Sequence, residues 1–370
     1  MNEQPLRNCV CAGEGGYGLL EMLMATAISG ILLGVLLQFA VSAHTSAGVQ
    51  GETADLQQRL RVAVEAIRHD IILAGAGPTR GQPRGPLSRI FPPIVPARIG
   101  TIAADPELSF HSDRVGIIYV PDNASQTRVV SDMPSPGSPI VIDGAAAGCR
   151  PSSACGFTPG ADVLIFEPAG AGGAHEVFSA GAVDTAANML TPAAPLSRPY
   201  SSGARVAGVV RRTYYLDAAG KRLMVYDGAR SDVPLVDHVV DLRFTYYGDP
   251  RPDSVDPPPD GASNCAYAAG SPPVPVLTNL GGAAPKLMTA SLLTDGPACG
   301  PSPHRFDADL LRIRRVSVAI RLEAESPEFR GRGGPFTTGG ISRASARRVA
   351  DLQTIVDIAP RNLASPIILP

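Results

Sequence analysis

The 370-residue chain predicts an α+β protein. A long N-terminal α-helix, membrane-spanning in its first half, packs on an antiparallel β-sheet head that carries a long disulfide-bracketed insertion. Three observations carry that expectation. An uncharged, mostly apolar run fills 22–43, and no proline interrupts the chain from Tyr17 to Pro78. Two downstream segments, 235–247 and 310–324, are rich in β-branched and aromatic residues, and the second largely alternates apolar with polar. Four cysteines, Cys149, Cys155, Cys265 and Cys299, lie in Gly- and Pro-rich stretches. Gly 39 and Pro 36 make about a fifth of the chain and Trp is absent, a composition that favours short strands joined by many turns.

The helix comes first. An apolar run of this length spans a bilayer, which takes roughly 20 helical residues. Its edge reads Gly16-Tyr17-Gly18-Leu19-Leu20-Glu21, one carboxylate and then only neutral residues. A carboxylate near the membrane costs from about 2.5 kcal/mol upward at mid-bilayer, so Glu21 asks for a partner cation. Beyond residue 43 the helical pattern continues. Val49, Leu56, Leu60, Val64, Ile67 and Ile71 form one apolar stripe, with Glu52, Asp55, Arg59, Glu65 and Arg68 elsewhere around the helix. A single helix over 17–74 reaches roughly 87 Å at 1.5 Å per residue. Gly30, Gly34, Gly48 and Gly51 are its soft points, and Gly75-Ala76-Gly77-Pro78 is its stop.

The residues around Gly16 resemble the type IV pilin-like N-terminus, the class III signal, in which a Gly precedes Phe-Thr-Leu-Ile-Glu and an apolar helix. The resemblance implies cleavage by prepilin peptidase after Gly16, N-methylation of Tyr17 as the new terminus, and pairing of Glu21 with the N-terminal amine of a neighbouring subunit. Tyr17 stands in place of Phe, Gly18 in place of a hydroxyl residue, and Glu14 adds an acid to a leader that is usually basic. The segment 57–75, with His69-Asp70 before Ile71-Ile72-Leu73-Ala74-Gly75, resembles the helix end of W-type minor pilins and J-type pseudopilins of type II secretion. The run 235–247 and the ending Pro360-Arg361-Asn362-Leu363 are similar to that family as well. Residues 1–16 are then a leader, 17–43 a transmembrane or filament-core helix, 44–75 an amphipathic helix entering the head, and 76–370 a β-rich head. The implied place is the inner membrane, single-pass, with the leader in the cytoplasm and the head in the periplasm. The implied partners are prepilin peptidase, other minor pilins or pseudopilins, and the major subunit.

Along the head, 78–99 reads as an irregular linker. Strand candidates follow at 114–120, 128–130, 139–142, 162–167, 176–179 and 205–210, each fenced by Gly, Pro, Asn or Asp. The best hairpin joins 209–216 to 222–226. The strand 235–247 expects 310–324 as partner, one face buried and one wet, and 350–358 is a last strand. The middle, 78–205, is placed only by elimination.

The insertion 248–309 is too long for an ordinary connection and reads as a functional loop or a partly ordered excursion. The four cysteines allow three pairings. Pairs 149–155 and 265–299 each close a loop that nothing else would hold, the second contributing about 4 kcal/mol in the chain-entropy model. Zinc is disfavoured because no CxxC is present. Asp249, Asp253, Asp256 and Asp260 offer oxygens to calcium but lack EF-hand spacing, and Asp253, Asp256 and Asp260 are kept as the candidates.

Catalytic signals are thin. His111-Ser112-Asp113 and Ser302-Pro303-His304 are adjacent in sequence, whereas triad members converge from separate positions. Gly170-Ala171-Gly172-Gly173 lacks the Lys-Ser/Thr of a phosphate loop. The expectation is a non-enzyme without cofactors. Without residues 1–16 the chain holds 31 basic and 32 acidic residues, which leaves no polybasic footprint for nucleic acid. An assembly subunit is therefore expected; the alternative is a membrane-tethered periplasmic binding or adhesion module that uses the 248–309 loop.

Overall fold

A computed structural model describes residues 18–77, 87, 91–100, 102–149, 153–167, 175–300, 302, 304–330 and 349–363. Helix α1 runs unbroken over Leu19–Leu73, 55 residues and roughly 80 Å. The expected start at Tyr17 lies outside the described residues. Residues 18–44 are all exposed, and the first buried side chain on the helix is Leu56. From there Ala63, Ile67 and Ile71 carry the apolar stripe into the head. One helix is thus exposed along its first half and buried along one stripe of its second.

Gly75 ends the helix at φ 75°, the left-handed conformation that glycine adopts without a Cβ penalty. The last carbonyls of a helix need outside donors. Here the C-terminal ending supplies them: Arg361 N–H donates to Ile72 O at 3.1 Å, and Asn362 Nδ2 donates to Leu73 O and Ala74 O at 3.3 and 3.4 Å. Two stretches that resembled the family separately are one cap.

The head holds 19 strands among the described residues, numbered in chain order. One sheet contains β1 (Ile94–Val95), β2 (Arg114–Tyr119), β9 (Val210–Asp217), β10 (Arg222–Tyr226) and β11 (Asp232–Asp237), in the order β1-β2-β9-β10-β11 and all antiparallel. The expected hairpin is β9–β10. A second sheet contains β12 (Val239–Gly248), β15 (Lys286–Met288), β18 (Ile313–Leu322) and β19 (Leu352–Ile358), in the order β15-β12-β18-β19. The expected pairing of 235–247 with 310–324 is β12 with β18, and the last strand is β19. The two sheets meet where Phe244 N–H donates to Ser112 O at 2.7 Å. Their inner faces and the buried stripe of α1 share one core, which includes Ile67, Ile117, Tyr214, Phe244 and Val318.

The run 235–247 is not one strand, which corrects the sequence reading. His238 at φ 59° breaks it, so that β11 stays in the first sheet and β12 crosses to the second. A left-handed non-glycine residue interrupts a ladder whatever the β-propensity of its neighbours.

The middle of the chain is a unit of its own. Strands β2 and β9 pair from Arg114↔Tyr215 to Tyr119↔Val210, and everything between them in sequence is an insertion. It contains β3 (Gln126–Arg128), β4 (Ile140–Val141), β5 (Asp162–Phe166), β6 (His175–Asp184), β7 (Met189–Pro192) and β8 (Arg205–Gly208), ordered β3-β8-β5-β6-β7-β4. The ends of that order join: Val129 bridges Ile142, Val130 N–H donates to Val141 O at 2.9 Å, and Asp143 N–H donates to Arg128 O at 3.0 Å. The sheet closes into a small barrel, with its own core of Ile140, Val163, Ile165, Leu190 and Val206. Closure removes the edges that short strands would otherwise expose. The Cys149–Cys155 disulfide staples its wall.

The second insertion leaves between β12 and β18, which pair directly from Val239↔Leu322 to Gly248↔Ile313. It is ordered. It holds β15, the pairs β13 (Tyr267–Ala268) with β14 (Val274–Pro275) and β16 (Ala298–Cys299) with β17 (Phe306–Asp307), and the Cys265–Cys299 disulfide, Cα–Cα 5.2 Å.

Candidate functional site

The features that could do work lie at the N-terminal edge of α1, at the helix–head joint and in the second insertion. Gly16 and Tyr17 lie outside the described residues. Glu21 stands in the first turn, and its Oε2 accepts from Gly18 N–H at 3.2 Å, half of a capping box. The helix dipole favours an anion there. Glu21 is the one charged side chain between residues 18 and 43. Around it the helix surface is apolar, with Leu19 81% and Phe39 72% exposed. A cylinder of this length that is apolar all round is unsuited to water and suited to lipid or to other helices. Among the described residues, α1 is the one helix long and apolar enough to cross a membrane.

The joint is built on Asp70. Its carboxylate is fully buried and accepts from Tyr119 Oη at 3.0 Å, Tyr214 Oη at 2.7 Å and Arg212 Nη1 at 3.0 Å. All three donors stand on β2 or β9, so one acid pins the helix to the first sheet. Burial, with Asp70 beside it, pushes the Tyr119 hydroxyl up to about 12, and the same causes raise Tyr214 further. Burial opposes the charge on Arg212, but Asp70 outweighs it and the net shift is upward. Sequence reading placed Asp70 only inside a helix-end motif. A lone acid in the stripe position one turn before Ala74 was the available signal.

At the end of the joint nearer the exposed half of α1, Phe329 packs on Gly48, where a Cβ would meet its ring at 2.7 Å. Gly48 is a contact surface here. The helix passes straight through it.

In the second insertion, Arg312 is fully buried and gathers the loop. Its Nε donates to Asp249 O at 2.9 Å, Nη1 to Thr278 O at 3.0 Å and to Asp309 Oδ1 at 2.5 Å, and Nη2 to Pro250 O at 2.6 Å. Burial raises the Asp309 carboxyl to about 6 despite Arg312, and raises Asp307 as well. The calcium candidates do not converge: Asp253 and Asp260 are exposed at separate places in the loop, with Asp256 half-buried between them. Among the described residues the carboxylates that do lie within 4.8 Å of one another are Asp295, Asp307 and Asp309. Asp307 is already taken by the Gly296 and Asp309 amides, and Asp309 by Arg312.

The histidine motifs are dispersed. His111 Nε2 lies 3.8 Å from Asp105, Ser302 Oγ donates to Glu107 at 3.0 Å, and the glycine run at 170–173 lies outside the described residues. Comparison with protein-family models, curated proteins and solved structures finds no match.

Proposed function

We propose that the chain is a minor pilin or pseudopilin, a structural subunit of a type IV pilus or type II secretion pseudopilus. In this reading prepilin peptidase cuts after Gly16 and Tyr17 is N-methylated. The observation that supports it most is α1 itself: 55 continuous residues, wholly exposed and apolar at one end and gripped by the head at the other. A plain membrane anchor needs only the first half. A helix continuous into the head transmits force and register, and that is what a filament subunit requires.

Glu21 then sets the register. Its carboxylate lies at the N-terminal end of α1, beside the position where a cleaved chain carries its amine. In lipid, pairing with a neighbour's amine offsets the cost of the charge. The apolar cylinder buries against other helices, and the head meets sibling subunits at the filament's start or tip.

The test is Glu21→Ala in the native host. The variant stays in the inner membrane and drops out of sheared filaments or pseudopili. Normal incorporation of the variant would overturn the register role. The second reading, a tethered binding module, draws on the ordered insertion closed by Cys265–Cys299. Deletion of that loop separates the two, since it removes binding and leaves assembly if the tethered module is correct.

A further inference from the structure

The head carries a concavity whose lining includes neither Glu21 nor Asp70. A cleft of about 800 Å³ opens where three pieces meet. They are the segment after α1 (91–109), strand β6 with 193–196 of the inserted barrel, and 293–310 of the second insertion. Ligand clefts favour such junctions and this size.

Its floor is aromatic. Phe91 stacks on the His175 ring at 4.5 Å with an interplanar angle of 22°, and the Phe306 ring is tilted at 56° to it with centroids 6.4 Å apart. Leu293, Leu310 and Pro195 extend the apolar wall.

The charged groups of the lining divide cleanly. Every carboxylate there already accepts from a donor. Asp105 pairs with Arg114, and Glu107 accepts from Ser302; Glu176 accepts from the Ser197 amide and hydroxyl, and Asp307 from Gly296 and Asp309. Two of the four arginines are engaged as well, Arg98 with Asp232 and Arg211 with Asp162. Arg230 and Arg305 remain, both exposed and both without an acceptor among the described residues. The charged side chains of the lining left without a partner are therefore both guanidinium, which suits a carboxylate.

We infer that this cleft binds a small aromatic carboxylate, its ring on the Phe91–His175 floor and its anionic group at Arg230 and Arg305. The inference is independent of filament assembly.

The probe is naphthalene-2-carboxylate, with naphthalene-2-carboxamide as its uncharged counterpart. Both are titrated calorimetrically into the full-length chain in lipid nanodiscs, with empty nanodiscs as blank. The carboxylate binds saturably and about tenfold more tightly than the amide, the scale of one charge-assisted hydrogen bond. In the Arg230→Gln, Arg305→Gln double variant that preference disappears while the amide binds as before. No saturable binding above the blank, equal affinity for the two probes, or a preference that persists in the double variant each overturns the proposal. Should the glutamines disturb the fold, a diazirine-bearing naphthoate on the unmodified chain decides. Labelling within 91–109, 175–179, 193–196 or 293–310 supports the cleft, and labelling elsewhere overturns it.

Discussion

Asp70 shows how much a single buried acid can organise when three donors converge on it. Asp70→Ala leaves the buried Tyr119 hydroxyl without an acceptor and Tyr214 with only Ala66 O at 3.2 Å, at a cost of about 2 kcal/mol. Arg212 adds little to that figure because its side chain is 42% exposed. Asp70→Asn keeps an acceptor and costs less. Hydrogen exchange of the α1 amides at 63–73 reads both, faster in each variant and fastest in Ala. The same joint has an alkaline limit. The Tyr119 hydroxyl ordinarily titrates at 10.0 and is held up to about 12 by burial and then by Asp70. The folded state therefore binds that proton more tightly than the unfolded state does. Its contribution to stability is complete below pH 10 and is lost as the pH rises through about 12. A spectrophotometric titration with Tyr119→Phe as reference shows that increment; a normal Tyr119 would contradict it.

At the scale of elements, the second insertion is closed by its own disulfide and lends the second sheet its edge strand β15. Strands β12 and β18 pair with each other residue by residue, so loosening the loop should leave them intact. Cys265→Ser with Cys299→Ser removes a crosslink across 34 residues, which the chain-entropy model values at about 4 kcal/mol in the unfolded chain. Exchange should rise in 249–299 and stay slow in β12 and β18. Collapse of the whole sheet would show that the loop scaffolds it. The elements also show what the sequence could and could not disclose. The helix was legible because its apolar surface changes character without a proline, and Gly75 stops it. The disulfide pairs were legible from loop closure. The turn at His238 was not, because nothing in Asp237-His238-Val239 demands a positive φ; the demand comes from two sheets that need strands pointing different ways. The barrel was not legible either. The closing strands β3 and β4, three and two residues long, carry too little alternation to reveal that they close a ring. Asp253, Asp256 and Asp260, weak calcium candidates without EF-hand spacing, are not among the carboxylates that cluster in the described residues.

At the scale of the molecule, the head is three β assemblies hung on one end of a helix whose other end is built for a different medium. Gly48 lies at the boundary, with Phe329 on its face. Gly48→Leu forces that ring away and should loosen the head's grip at the membrane side, seen as proteolysis of α1 near 45–52 in the variant alone. In the proposed filament service, a head gripped along 48–74 moves with its helix. The most direct test of that service is the mass of the N-terminal peptide of the protein taken from membranes of its native host. The account predicts a peptide beginning at methylated Tyr17. A peptide from membrane-resident protein that runs uncut through Gly16 and Tyr17 would contradict it.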